Sequence, residues 1–224
     1  MSYYEYKYLV EPEKIKQVLG IFEGLYKDTD PYQGGWLESI YFDTLDQNCY
    51  RDCLGGNNLK TKFRTRKYLD TNVVQAQVKT KSLYQVRKWK TSFSEDPKEQ
   101  SSWKDLLGKA EPSQPKIACE AISARYGPLI PMVRIKYFRR RYRVFDYRVN
   151  IDTHIMVDSH LNHPSVVQPH KVQFPFSVVE VKSNNNRPFL PFLGLVYLNQ
   201  VSFSKFGIGF GLIKRNYDII NKYQ

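Results

Sequence analysis

Leu59-Lys-Thr-Lys-Phe-Arg-Thr-Arg-Lys-Tyr68 is the stretch that decides the fold. Side chains of a β-strand alternate between its two faces. Lys60, Lys62, Arg64 and Arg66 therefore share one face, and Thr61, Phe63 and Thr65 share the other. Other segments repeat the pattern. In 73–81, Gln75, Gln77, Lys79 and Lys81 oppose Val74, Ala76 and Val78. In 177–182, Glu180 and Lys182 oppose Val179 and Val181. In 147–153, Arg148, Asn150 and Asp152 oppose Val149 and Ile151. Glu5 and Lys7 share a face near the start of the chain. Polar strand faces usually meet water, as on a simple β-sandwich. A row of cations with no acid between them resists that reading, because two unit charges ~6 Å apart still cost about 3 kcal/mol at an effective dielectric of ~20. The opposite faces are apolar, and amphipathic helices are available to cover them. The pattern predicts an α+β fold: a closed antiparallel β-barrel with flanking helices outside and a charged lumen that holds a polyanion.

The rest of the chain agrees with one domain over residues 1–224. Lys and Arg number 34 against 22 Asp and Glu, a net charge of +12 that points to anionic partners. No apolar run reaches the roughly 18 residues of a membrane span, and the first residues do not read as a secretion leader. Cys49, Cys53 and Cys119 are an odd set without framework spacing, which predicts reduced thiols and a cytoplasmic location. Strands are expected at about 3–9, 38–43, 59–69, 73–81, 133–143, 147–153 and 177–182, with a weaker one at 84–90. Helices are expected at 12–26, where Ile15, Val18, Leu19, Phe22 and Leu25 make one apolar stripe, and at 103–107, 117–126 and 210–223. Pro188 is expected to open another. Residues 54–58 and 162–173 read as connectors and 94–102 as a surface excursion. His154, His160, His163 and His170 fall in the expected loop region, without the spacing of a metal site. Gly207-Ile-Gly209-Phe-Gly211 reads as a tightly packed turn, and no Walker A sequence is present.

A set of short pieces resembles the VTC domain, the polyphosphate-polymerase branch of the triphosphate tunnel metalloenzymes, which also include the CYTH-like proteins. In chain order these are Tyr4-Glu-Tyr-Lys-Tyr8, Ser39-Ile-Tyr-Phe-Asp-Thr44, Lys62-Phe-Arg-Thr-Arg-Lys-Tyr68 and Val78-Lys-Thr-Lys81. Then come Tyr137-Phe-Arg139 with Tyr142, Tyr147-Arg-Val-Asn-Ile-Asp152, Val179-Glu-Val-Lys182 and Ser204-Lys-Phe206. The resemblance implies a tunnel of about eight antiparallel strands. It also implies transfer of the ATP γ-phosphate to a growing inorganic polyphosphate chain, aided by Mn²⁺ or Mg²⁺. By motif, Lys7, Arg64, Arg66, Lys79, Arg139, Arg148, Lys182 and Lys205 would be the catalytic phosphate ligands. Lys60, Lys62, Lys81 and Arg141 would be further phosphate-binding groups, and Glu180 with Glu5 would hold the metal. Some positions depart from the family pattern. Tyr3 stands where Arg or Glu is usual and Gln77 where Glu is common. Arg141 replaces a small residue, and Gly207 follows the Ser-Lys-Phe element where Ser is common.

Two alternatives share this tunnel: hydrolysis of tripolyphosphate or an organic triphosphate, and polyphosphate binding without catalysis. Nucleic acid is disfavoured as a partner. The cations alternate with small or apolar residues, and no RNP-like or helix-turn-helix pattern is present.

Overall fold

The computed structural model describes residues 3–27, 29–55, 57, 59–71, 73–82, 85–93, 104, 114–159, 171–186 and 188–222. The expected segment 94–102, His160, His163 and His170 lie outside them, as does 103–107 apart from Lys104. The strands are β1 (Tyr4–Val10), β2 (Gly34–Asp43), β3 (Leu59–Tyr68), β4 (Val73–Ser82), β5 (Gln85–Phe93), β6 (Ile130–Val144), β7 (Tyr147–Ser159), β8 (Lys171–Gln173), β9 (Ser177–Ser183) and β10 (Asn199–Gln200). The helices are α1 (Ile15–Tyr26), α2 (Asn48–Leu54), α3 (Gln114–Tyr126) and α4 (Lys205–Lys222), with a 3₁₀ turn at Pro191–Gly194.

All strand pairings are antiparallel, in the order β10-β1-β9-β7-β6-β2-β3-β4-β5, with β8 beside β7. The expected closed barrel is corrected here. The ladder has two ends, β5 and β10, and among the described residues no pairing joins them. The sheet curls instead, so that Lys79 of β4 and Glu5 of β1 meet at 2.5 Å although five strands separate them along the ladder.

The inverted charge pattern holds. Outer faces are apolar and covered. Val18 and Phe22 of α1 pack with Phe192 on Tyr8, Tyr142, Val149, Ile151, Val179 and Val181. Cys119 and Ile122 of α3 pack with Phe42, Phe63, Ala76 and Val78 in the second cluster.

Several local expectations change. Pro188 opens no helix; the turn begins at Pro191. The glycine-rich 207–211 segment is the start of α4, not a turn. Its close packing has a physical cause: a Cβ on Gly209 would sit 3.0 Å from Val157 and one on Gly211 3.0 Å from the Tyr50 hydroxyl. Leu54 ends α2, a helix that alternation gave no sign of. Asp43 holds the start of α2, accepting backbone N–H groups of Cys49 (2.8 Å) and Tyr50 (2.9 Å). His154 lies in β7, not a loop, and residues 171–173 of the expected connector are β8.

Candidate functional site

The inner face of the curled sheet lines a chamber. Lys62, Arg64 and Arg66 of β3, Lys79 of β4 and Lys88 of β5 form one wall. Glu5 and Lys7 of β1, Glu180 and Lys182 of β9 and Arg139 of β6 form the other, with Lys205 from the start of α4. Register brings them together: Arg64 pairs with Gln77, Lys79 with Lys88, Lys7 with Glu180 and Arg139 with Asp152.

The arginines are held rigidly. Arg64 donates to Gln77 Oε1 from Nε (3.1 Å) and Nη2 (2.8 Å), and from Nη1 to Tyr41 Oη (2.6 Å). Arg66 donates to Ser39 Oγ (3.2 Å) and Tyr137 Oη (2.7 Å). Arg139 makes a two-pronged contact with Asp152, at 2.6 and 2.7 Å. Lys205 reaches the same carboxylate at 2.5 Å. Lys7 donates to the Phe203 carbonyl at 2.9 Å, and Lys62 to Ser204 Oγ at 2.9 Å.

Electrostatics follow from this crowding. Burial alone would raise the Glu180 carboxyl, but Lys182 (3.0 Å away), Arg139, Lys7 and Lys205 hold it well below the carboxylate range. Burial likewise opposes ionisation of Asp152 and Glu5, and the adjacent cations outweigh it in both. For Tyr41, burial works against ionisation, yet Arg64, Arg66, Lys62 and Lys205 bring it down to about 8. Lys88 is lowered to about 6, first by desolvation and then by Arg64, Arg66, Lys182 and Lys79. Its side chain remains open to solvent, which screens part of that repulsion.

Of the expected site residues, Lys7, Lys62, Arg64, Arg66, Lys79, Arg139, Lys182, Lys205, Glu5 and Glu180 line the central chamber. Lys60 and Lys81 line an adjoining cleft instead. Arg141 stands nearer the rim, donating to the Tyr32 carbonyl at 3.2 Å and lying over the Tyr68 ring. Arg148 is half exposed, 3.8 Å from Asp30, and is absent from the chamber lining. Sequence reasoning assigned no role to Lys88, Asp152, Tyr41 or Tyr137. Lys88 was legible in principle, since pairing Ser82 with Gln85 places it opposite Lys79. The tyrosines were hidden among aromatics that read as core.

Glu5 and Glu180 lie on adjacent strands, and among the described residues no group of three or more acidic, His or Cys side chains gathers for a metal. Their oxygen donors suit a hard divalent ion that completes its shell with phosphate oxygens and water. Among the described residues, no helix is long and apolar enough to cross a membrane.

The VTC domain family model matches residues 2–214. Curated protein sequences yield no significant match. Among solved structures, a candidate adenylate cyclase from Bacillus halodurans is 12% identical, with a TM-score of 0.59 over 90% of this chain and 93% of that one. A candidate adenylyl cyclase from Hippeastrum, described as having a dominant triphosphatase activity, is 13% identical, with a TM-score of 0.57 over 93% and 94%. The PH1819 protein of Pyrococcus horikoshii is 10% identical, with a TM-score of 0.52 over 95% and 99%. At these identities the likeness is one of fold.

Proposed function

The chain belongs to the VTC domain family, and from that premise we propose that it is a polyphosphate polymerase. It moves the γ-phosphate of ATP onto the end of an inorganic polyphosphate chain and releases ADP. The observation that carries this reading is the chamber wall of β3, β4 and β5, which presents Lys62, Arg64, Arg66, Lys79 and Lys88 with no acid of its own among the lining residues. A linear polyanion is the ligand whose charge matches it.

Phosphoryl transfer asks the protein mainly for positioning and for cations where charge spreads. Arg64 and Arg66, already held by Tyr41, Gln77, Ser39 and Tyr137, are oriented to grip phosphate oxygens with little further loss of freedom. Lys7, Lys182 and Lys205 supply point charges. The accepting phosphate is already ionised, so no strong base is required. Glu180, with Glu5 beside it, is the group that would hold Mg²⁺ or Mn²⁺; such an ion offsets charge on the phosphate oxygens.

The direct test incubates the protein with ATP and Mn²⁺, resolves products on a polyphosphate-stained gel, and measures ADP and free phosphate. Chains with matching ADP are the expected result. Free phosphate without chains would replace the polymerase with a triphosphatase. Tight polyphosphate binding with no turnover would leave a binding module.

A further inference from the structure

Just past the chamber, three side chains of different chemistry converge over one glycine. β2 lies between β3 and β6. Tyr68 of β3 pairs with Leu37 of β2, and Arg139 of β6 pairs with Gly35. Counting by twos from Ser39 and Leu37, Gly35 faces inward. Arg141 stands further along β6, its backbone N–H donating to the Gln33 carbonyl at 2.7 Å. Its guanidinium lies over the Tyr68 ring, 5.8 Å from the ring centre. Level with Gln33 at its base and with Leu37 at its tip, the Arg141 side chain crosses Gly35. A Cβ on Gly35 would collide with the Asp70 carboxylate, so that group lies over the same residue. The missing side chain leaves the space to both.

This trio differs from the chamber lining. Arg64, Arg66 and Lys79 offer hydrogen-bond donors, which phosphate oxygens accept. Asp70 is exposed, and its carboxylate only accepts. It repels phosphate and suits hydroxyl donors. The Arg141 guanidinium is a plane, pinned by the Tyr32 carbonyl at 3.2 Å and backed by Tyr68. Such a plane receives the face of an aromatic base. The spacing agrees. Arg139 lines the chamber, and Arg141 lies two residues beyond it on the same face, about 7 Å along an extended strand. A ribose bridges a similar span between its phosphate and its base. Asp70, over Gly35 and level with Arg139, falls between the two.

We propose that Arg141, Tyr68 and Asp70 form a nucleoside subsite, in which the base of a nucleoside triphosphate stacks on Arg141 and a ribose hydroxyl donates to Asp70. This rests on the reading of the chamber as an ATP site. The family resemblance makes Arg141 a phosphate ligand; its place above Tyr68 gives it the base instead, with the triphosphate directed inward past Arg139.

The test titrates ATP and inorganic tripolyphosphate calorimetrically into the unmodified protein and two variants, in EDTA, where metal-dependent turnover is off. Arg141→Lys keeps the charge and loses the plane. It should lower the ratio of ATP to tripolyphosphate affinity by about tenfold, the worth of one stacked base. Asp70→Ala should lower the same ratio by about threefold, one hydrogen bond's worth. It should also tighten tripolyphosphate, because an anion leaves the approach to a cationic chamber. Tripolyphosphate binding reports that each variant is folded. An unchanged ratio in Arg141→Lys would overturn the subsite by returning Arg141 to the phosphates. An unchanged ratio in Asp70→Ala would overturn it by removing the ribose contact. Tripolyphosphate binding to the unmodified protein without ATP binding would instead refute the ATP reading of the chamber, and the subsite with it.

Discussion

The two walls of the chamber carry charge in different ways. Along β3, β4 and β5 the inner cations stand together, and their partners within the wall are neutral: Arg64 leans on Gln77 and Tyr41, Arg66 on Ser39 and Tyr137. Along β1, β9, β7 and β6 cations alternate with carboxylates, as in Glu5 with Lys7, Glu180 with Lys182 and Asp152 with Arg139 and Lys205. The first wall stores repulsion that an anion relieves. The second wall's carboxylates are already paired with cations, which makes it the more rigid side, while Lys7, Lys182 and Lys205 still face the chamber. Binding strength and fold stability should therefore separate along this line.

The largest effect is expected on the paired wall. Asp152→Ala removes the close carboxylate from buried Arg139 and Lys205, leaving Arg139 only the 3.9 Å contact with Glu180, and should cost about 3–5 kcal/mol in urea unfolding. A loss under about 1 kcal/mol would show the pairs to be structurally idle. Acid should expose the same dependence. Asp152, Glu5 and Glu180 are held below their ordinary values, so their stabilisation is complete above those values and disappears as pH falls through the depressed ones.

Glu180→Gln should reduce metal-dependent turnover by about 100-fold, roughly 2.7 kcal/mol of barrier. Polyphosphate affinity should stay intact, because a neutral side chain removes an anion from a cationic chamber. Unchanged ADP release would remove Glu180 from the metal site.

On the repulsive wall the signs reverse. Arg64→Gln should weaken polyphosphate binding by about 10- to 100-fold, the worth of one charged hydrogen-bonding group. The unfolding midpoint should hold or rise as repulsion falls. Calorimetry beside thermal unfolding checks both; a large loss of stability would erase the contrast between walls.

The smallest effect concerns Tyr41, whose hydroxyl is brought down to about 8. Above that pH its phenolate neutralises Arg64, so polyphosphate affinity should fall as pH rises through about 8. Tyr41→Phe should flatten that fall to within about threefold between pH 7 and 9, since phenylalanine has no proton to lose. The same fall in the variant would assign it to another group.

Strict alternation makes β3 and β4 readable: residue order alone places Lys60, Lys62, Arg64, Arg66, Lys79 and Lys81 on one face of each strand. The same rule fails on β7. Counting by twos from Asn150 and Asp152 puts His154 and Met156 inside. His154 instead adopts a left-handed backbone (φ 51°) where the β6–β7 register slips, and beyond it Ile155 and Val157 point inward while Met156 is exposed. A bulge adds one residue and reverses the faces that follow. That single residue converts a charged lumen into the apolar seat of α4. Short-range sequence carries little trace of it, because a bulge is stabilised by what packs on it.

Residue order alone determined the alternation of charge and apolar bulk on β3, β4 and β9, and which family the motifs resemble. These are local properties, since strand geometry projects each side chain from its own backbone. Tertiary structure decided the rest: which cations receive carboxylates, that Lys88 faces Lys79, that α4 seats beside Tyr41, and that the sheet curls with no pairing among the described residues to close it. Those depend on register and on contacts between residues far apart in the chain, such as Glu5 with Lys79, whose energies no neighbouring residue encodes.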